Sequence, residues 1–283
     1  MASFTNFATL SYNGGTTNSN IVTGEILEAL TAVKTAVSAN YSAGDRITYA
    51  LSLVNTGTAA ITDYTVTDNL GGYTVGANTV YPLAYNAGTV RYYINGVLQA
   101  APTVTAGPPL TVTGLTVPAG GNAVLIYETT ATPVAPLATG SSITNTATIT
   151  GGGLTNPITA QATVETANSA DLTISKALSP TTVTENGQIT YTFVISNTGN
   201  TEATATGNVV VTDTFAPILR NIAVTYNGTA WTEGTNYTYN AATGVFATLA
   251  GQITVPAATF AQNADGTFTV TPGTATLVIT GRV

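Results

Sequence analysis

The chain repeats itself. Thr31 to Gly57, TAVKTAVSANYSAGDRITYALSLVNTG, is matched by Thr173 to Gly199, TISKALSPTTVTENGQITYTFVISNTG. YTVTDNL (Tyr64 to Leu70) parallels VVVTDTF (Val209 to Phe215), and NAVLIYETTA (Asn122 to Ala131) parallels TATLVITGRV (Thr274 to Val283). A duplication on this scale implies two homologous domains, starting near residues 30 and 169. Within each copy, ITYALSLV and ITYTFVIS alternate apolar and polar residues with the period of a strand and end in Asn-Thr-Gly turns. Further turn residues recur between the runs, among them Gly71-Gly72, Asn95-Gly96, Gly120-Gly121 and Asn227-Gly228. The expected fold is all-β, with two tandem immunoglobulin-like sandwiches. Ile26, Leu27, Leu30, Val33 and Val37 would also suit a helix face, but the second copy, LTISKALSP, has strand composition and a proline, so a strand is expected there.

Composition excludes much. Charged residues are 7% of the chain, against about 25% in an average soluble domain. At 44% hydrophobic it is not the polar, charged material of disordered segments. A net charge of −7 with six basic residues argues against nucleic-acid binding, and no apolar run is long enough for a membrane-spanning helix. Without cysteine or histidine there are no disulfides, thiolate nucleophiles, imidazole bases or usual zinc ligands. No calcium-loop spacing occurs, so no metal or cofactor is expected. The N-terminus lacks the basic start and apolar core of a secretory signal. The protein is expected to stay inside the cell that makes it or to reach a surface by another route. A mature chain with its signal removed is the third option, against which Met1 argues.

The two copies are not equal. Domain one continues past NAVLIYETTA into SITNTATITGGG (Ser142 to Gly153) and PITAQATVET, which together read as a closing hairpin. Domain two reaches Val283 where its penultimate element would end. A near copy of the closing segment stands at the front: SFTNFATLSYNGG (Ser3 to Gly15), followed by SNIVTGEI. Residues 1–29 are therefore expected to form a donor hairpin, 30–168 a complete domain and 169–283 an incomplete one. A sandwich without its last strands recruits a strand from elsewhere. If the arm of one subunit fills domain two of the next, the head-to-tail contact does not close on itself and builds a homopolymeric filament.

The only lysines, Lys34 and Lys176, occupy equivalent positions in the first strand of each copy. Strand parity puts Lys34 on the apolar face with Leu30, and Lys176 with Leu172 and Ile174. The same parity turns Asp68 inward with Val66 and Leu70, and Asp213 inward with Val211 and Phe215. Asn145 shares a face with Ile143, Ala147 and Ile149, and in the arm Asn6 shares one with Phe4, Ala8 and Leu10. A buried lone ammonium tends to lose its proton. Lys, Asn and an acid buried together are the parts of a self-formed isopeptide bond: the neutral amine attacks the Asn carbonyl, a carboxylic acid kept protonated by an apolar setting polarises it, and ammonia leaves. Lys34, Asn145 and Asp68 would react within one chain, and Lys176 and Asp213 with Asn6 of the neighbouring subunit. The reaction runs once per site, so this is maturation rather than turnover. Several alternatives stay open. Each Lys–Asp pair can be a plain buried salt bridge, Glu128 can be the acid of domain one, and Asn55 and Asn197 also face inward by parity. Trp231, with Tyr226, Tyr237 and Tyr239, can line a sugar site or simply pack in a core.

The segments LTISKALSPTTVTENGQITYTFVISNTGN, NVVVTDTF and ITNTATI together resemble the bacterial repeat family called domain of unknown function 11, over both domains. That resemblance implies immunoglobulin-like modules of surface proteins, with Lys34, Lys176, Asp68, Asp213 and Asn145 on the family's motif positions. The opening FTNFATLSYNGG…SNIVTGEILEAL is similar to signal-less clostridial members, including spore-appendage proteins, which implies a structural fibre deposited on a spore or cell surface. Two functions follow as expectations: a fibre subunit, or a surface adhesin that binds carbohydrate around Trp231.

Overall fold

The computed structural model describes residues 2–26 and 29–283, so the arm's Leu27 and Glu28, with Met1, lie outside the described residues. The chain is a succession of strands with one 3-10 turn, Ala205–Gly207, and no α-helix among the described residues. β-branched and alternating sequence dictates this. Leu30–Ala36, where a helix face was the competing pattern, is a strand. The described residues form two compact units, Met1–Ala135 with Ser142–Glu165, and Pro136–Ser141 with Thr166–Val283. The short run Pro136–Ser141 goes with the second unit because Asn200 holds it: its amide donates to the carbonyls of Leu137 and Ala167, and Thr139 Oγ1 donates to the Asn200 carbonyl at 2.6 Å.

Unit 1 is a sandwich of two antiparallel sheets. One runs, in order, Val97–Leu98, Arg91–Ile94, Asn122–Ala131, Arg46–Asn55 and Leu30–Ala36. The other runs Thr103–Thr105, Leu110–Val117, Ile61–Asp68, Ser142–Gly151, Ile158–Thr166 and Asn40–Tyr41. We call Leu30–Ala36 the lysine strand, Ile61–Asp68 the aspartate strand and Ser142–Gly151 the closing strand. The period-2 pattern is visible in the burial: Ile143, Asn145, Ala147 and Ile149 are buried along the closing strand and their neighbours are not.

Unit 2 repeats the first sheet with Leu172–Ser179, Gln188–Asn197, Gly273–Arg282, Arg220–Tyr226 and Thr229–Trp231. Its second sheet is short. Thr212–Thr214, the counterpart of the aspartate strand, pairs with Val245–Thr248, which pairs with Tyr237–Asn240. In unit 1 two strands fill the space between Ile61–Asp68 and Asn40–Tyr41. In unit 2, among the described residues, no strand lies on the free edge of Thr212–Thr214. Val183, which stands where unit 1 has the fully buried Tyr41, is exposed. From Thr173 to Ser179 the unit-2 lysine strand is exposed at every residue, whereas its unit-1 counterpart buries Leu30 and Lys34.

The repeated Asn-Thr-Gly turns are built identically. Asn55 Nδ2 donates to the carbonyls of Ala59 and Pro118 while its Oδ1 accepts the Gly57 N–H. Asn197 does the same with Thr201, Pro256 and Gly199, and also accepts the Asp171 N–H. A Cβ on Gly199 would lie 2.2 Å from the Ser169 carbonyl oxygen, so only glycine fits.

The arm is a hairpin. Ala2–Asn6 pairs with Val22–Ile26, and Thr9–Tyr12 with Gly15–Asn18, around an Asn13-Gly14 turn with both residues at positive φ. Asn6 stands opposite Val22 and Thr9 opposite Asn18, so the extra residue of a bulge falls in the returning strand, and the outgoing face Phe4, Asn6, Ala8, Leu10 keeps its alternation.

Candidate functional site

The site of unit 1 is assembled by three strands. Lys34 points inward from the lysine strand and Asp68 from the aspartate strand, and Lys34 Nζ donates to Asp68 Oδ2 at 2.5 Å, with side-chain exposures of 0% and 1%. The Tyr127 hydroxyl donates to the same oxygen and the Leu70 N–H donates to Oδ1 at 2.9 Å. The ammonium also lies 4.8 Å from the centroid of the Tyr49 ring and 5.9 Å from that of Tyr127. Burial lowers the pKa of Lys34 from 10.5 to about 8, against the opposing pull of the Asp68 charge and hydrogen bond. The Tyr127 phenol is pushed well above its ordinary value, by burial first and the Asp68 charge second, so it stays a donor.

The closing strand brings the third part. Ala147 stands opposite Asp68, and Asn145 points inward two residues along, fully buried. Among the described residues, neither amide atom of Asn145 has a hydrogen-bond partner, and neither does the buried hydroxyl of Tyr49. The Asn145 amide lowers the pKa of both the Tyr49 and Tyr127 phenols, against the larger upward push of burial and Asp68, which places it within reach of the two hydroxyls. A buried primary amide with both ends unsatisfied is rare and costs on the order of 1–3 kcal/mol for each group. The arrangement gathers a buried amine, a carboxyl group that can take its proton directly, and an unengaged carboxamide.

Several expectations need adjusting. Asp68 is not in a purely apolar setting, because three donors converge on it. Glu128 is on the opposite face of its strand, 3.8 Å from Arg46, and does not reach the lysine. Asn55 and Asn197, inward by parity, are committed to their turns.

Unit 2 carries half of the same site. Lys176 Nζ donates to Asp213 Oδ2 at 2.5 Å and lies 4.5 Å from the Tyr191 centroid. Tyr191 stands where unit 1 has Tyr49. The side chains of Lys176 and Asp213 are 40% and 17% exposed, so the expectation that both lysines are buried holds only in unit 1. The physical reason is the open strand edge beside Asp213. Ile279 stands where unit 1 has Tyr127, and no Asn faces Lys176 among the described residues. In the arm, Phe4, Asn6, Ala8 and Leu10 are all exposed. The two tyrosines of unit 1 are what sequence reasoning missed. Their signal was parity: Tyr49 lies with Ile47 and Leu51, Tyr127 with Ala123 and Leu125, and the register places Tyr49 opposite Tyr127.

Trp231 does not form an open aromatic surface. It stacks on Tyr226 at 4.9 Å and both pack on the unit-2 core, with Tyr237 and Tyr239. The Tyr239 hydroxyl is tied to Leu219.

No family model and no curated protein matches the sequence. Solved structures similar to it include the pilus backbone RrgB of Streptococcus pneumoniae, at 12% identity over 86% of this chain and 55% of that one, TM-score 0.36. The major pilin subunit BcpA of Bacillus cereus is similar at 14% identity over 96% and 73%, TM-score 0.36. The collagen-binding domain of a Staphylococcus aureus adhesin is similar at 11% identity over 49% and 99%, TM-score 0.31. The chain spans 32% of the N-terminal domain of the Streptococcus gordonii adhesin Sgo0707.

Proposed function

We propose that the protein is a structural subunit of a surface fibre, in which the hairpin arm of one copy enters unit 2 of the next. The observation that carries this reading is the contrast between two equivalent lysine–aspartate pairs. One is sealed by the closing strand, and the other stands beside a free strand edge. The arm matches the closing strand of unit 1 in sequence and in register. Phe4 faces Gly24 and Asn6 faces Val22, as Ile143 faces Val164 and Asn145 faces Ala162. The bulk is exchanged across the pair: Phe4 lies over Gly24, where a Cβ would come within 2.4 Å of its ring. By analogy with Ala147 and Asp68, Ala8 docks opposite Asp213, and Asn6 then faces Lys176.

Docking is reinforced by covalent bonds. In unit 1 the Lys34 amine attacks the Asn145 carbonyl carbon. The C–N bond to the leaving nitrogen breaks, and the proton released by the amine goes, through Asp68, to the departing ammonia. In unit 2 Lys176 reacts in the same way with Asn6 of the neighbouring copy, once the docked strand has excluded water. A fibre of this kind suits a spore or cell surface, as the sequence resemblance implies.

Boiling the assembled protein in detergent, followed by gel electrophoresis and intact-mass measurement, tests the reading. A ladder of multimers with two ammonia losses per subunit is expected, and Lys176→Ala should collapse it to monomers one ammonia light. Deleting residues 2–20 should leave monomers before any boiling. Filaments from that truncated chain would sink the donor-arm reading, and wild-type monomers at full mass would sink the isopeptide.

A further inference from the structure

Five buried side-chain atoms lack a hydrogen-bond partner among the described residues, and three of them are in this one cluster: the Tyr49 hydroxyl and both amide atoms of Asn145. A packed core rarely leaves a buried donor and a buried acceptor of one cluster both unsatisfied, and the influence of the Asn145 amide on the Tyr49 phenol puts the two within reach of each other. Tyr49 is held firmly. It is fully buried, its ring is stacked on Tyr127 at 5.8 Å, and Lys34 Nζ lies 4.8 Å from its centroid. Burial and the nearby Asp68 charge raise the pKa of its phenol, so at working pH it keeps the proton it would donate.

We infer that Tyr49 is a catalytic residue of the Lys34–Asn145 reaction, its hydroxyl donating a hydrogen bond to the carboxamide oxygen as that oxygen becomes an oxyanion. The inference rests on the isopeptide reading above. As the lysine nitrogen bonds to the Asn145 carbon, the C=O pair of electrons moves onto oxygen. When ammonia leaves, the pair returns and the carbonyl re-forms, so Tyr49 is neither consumed nor deprotonated. A donor that makes no bond in the ground state and makes one in the transition state lowers the barrier by its full worth. Tyr127 has a different part. Its hydroxyl is already engaged with Asp68, and it is a positioning residue. The division is supported by unit 2, which keeps a tyrosine, Tyr191, at the Tyr49 place over its lysine but has Ile279 at the Tyr127 place.

The test uses the full chain made in a short cell-free pulse, chased at constant pH and sampled by intact mass, with Lys176→Ala in the background so that only unit 1 reacts. Tyr49→Phe keeps the ring and is expected to slow ammonia loss about 100-fold, with the same final extent. Site-specific 3,5-difluorotyrosine at position 49, a stronger donor, is expected to change the rate in a chain that packs normally, which a purely structural phenol would not do. A Tyr49→Phe chain that reacts within twofold of the parent overturns the inference and leaves the isopeptide intact, as does a fluorinated chain of unchanged rate. A parent chain that never loses ammonia overturns both.

Discussion

The pH dependence of the bond formation proposed for unit 1 separates the roles that Asp68 can have. Lys34 Nζ donates to Asp68 Oδ2 across 2.5 Å, at 0% and 1% exposure. The reactive arrangement, neutral amine and protonated carboxyl, contains the same number of protons as the ion pair. It is reached by transfer inside the site, with nothing lost to water. Below the Lys34 pKa of about 8 the rate should therefore be flat with pH. Above it the pair loses its proton to solvent and the carboxyl has none to give. Two pH units higher about 1% of the pairs retain it, so the rate should be about 100-fold lower, a fall of about tenfold per unit. The assay is a pulse of synthesis, a jump into buffers from pH 6 to 10, and the time course of ammonia loss by mass. Asn145→Ala serves as the unreactive control. A rate that instead climbs tenfold per unit up to about pH 8 and then levels would refute the reasoning. In that case the free amine would be the reactive species and Asp68 would act only as a carboxylate.

Other consequences are open to direct measurement. In the Asn145→Ala background, Lys34→Met should cost unit 1 about 3–5 kcal/mol in chemical denaturation, because it strands the buried Asp68 charge. Lys176→Met should cost unit 2 about 1 kcal/mol or less, since that pair is partly in water. Removing Asn197 with Ala deletes the donors to Thr201 and Pro256 and the acceptor of two N–H groups, and should destabilise unit 2 by about 3 kcal/mol. Trp231, the chain's single tryptophan and part of the unit-2 packing, reports that transition by fluorescence without interference from unit 1. Gly24→Val should weaken the arm's hairpin, because the Phe4 ring occupies the space a side chain would need, and should lower the fraction of subunits in polymer.

Alternation and turn chemistry carried most of the fold. ITYALSLV and ITYTFVIS form the strands their parity demands, and the inward positions of Lys34, Asp68 and Asn145 follow from counting residues along three strands. Parity tells which face a residue takes, but not what else is at its level. It placed Asn55 beside the lysine as readily as Asn145. Only the three-dimensional position of the Asn-Thr-Gly turn, with its carbonyl acceptors at Val117 and Pro118, separates them. The same limit hid Tyr49 and Tyr127. They read as ordinary core aromatics until the register sets them opposite each other, with the lysine over both rings. Lys176 points inward, as parity says, onto Asp213 and the Tyr191 ring, yet its side chain is 40% exposed. Parity gives direction, while burial depends on a covering strand that no local pattern supplies.

The two units serve as each other's control. The lysine-to-aspartate contact is 2.5 Å in both, although only unit 1 has a closing strand over it. The ion pair is therefore the product of the lysine strand and the aspartate strand alone and does not need the third strand. What the closing strand adds in unit 1 is the carboxamide and the exclusion of water, which takes the lysine side chain from the 40% exposure seen in unit 2 to 0%. Dehydration lowers the pKa of Lys34 to about 8, against the opposing pull of the Asp68 charge and hydrogen bond. On the reading proposed above, the strand that delivers the carboxamide in unit 1 is also the strand that dries the amine, and unit 2 would gain both from one docked strand.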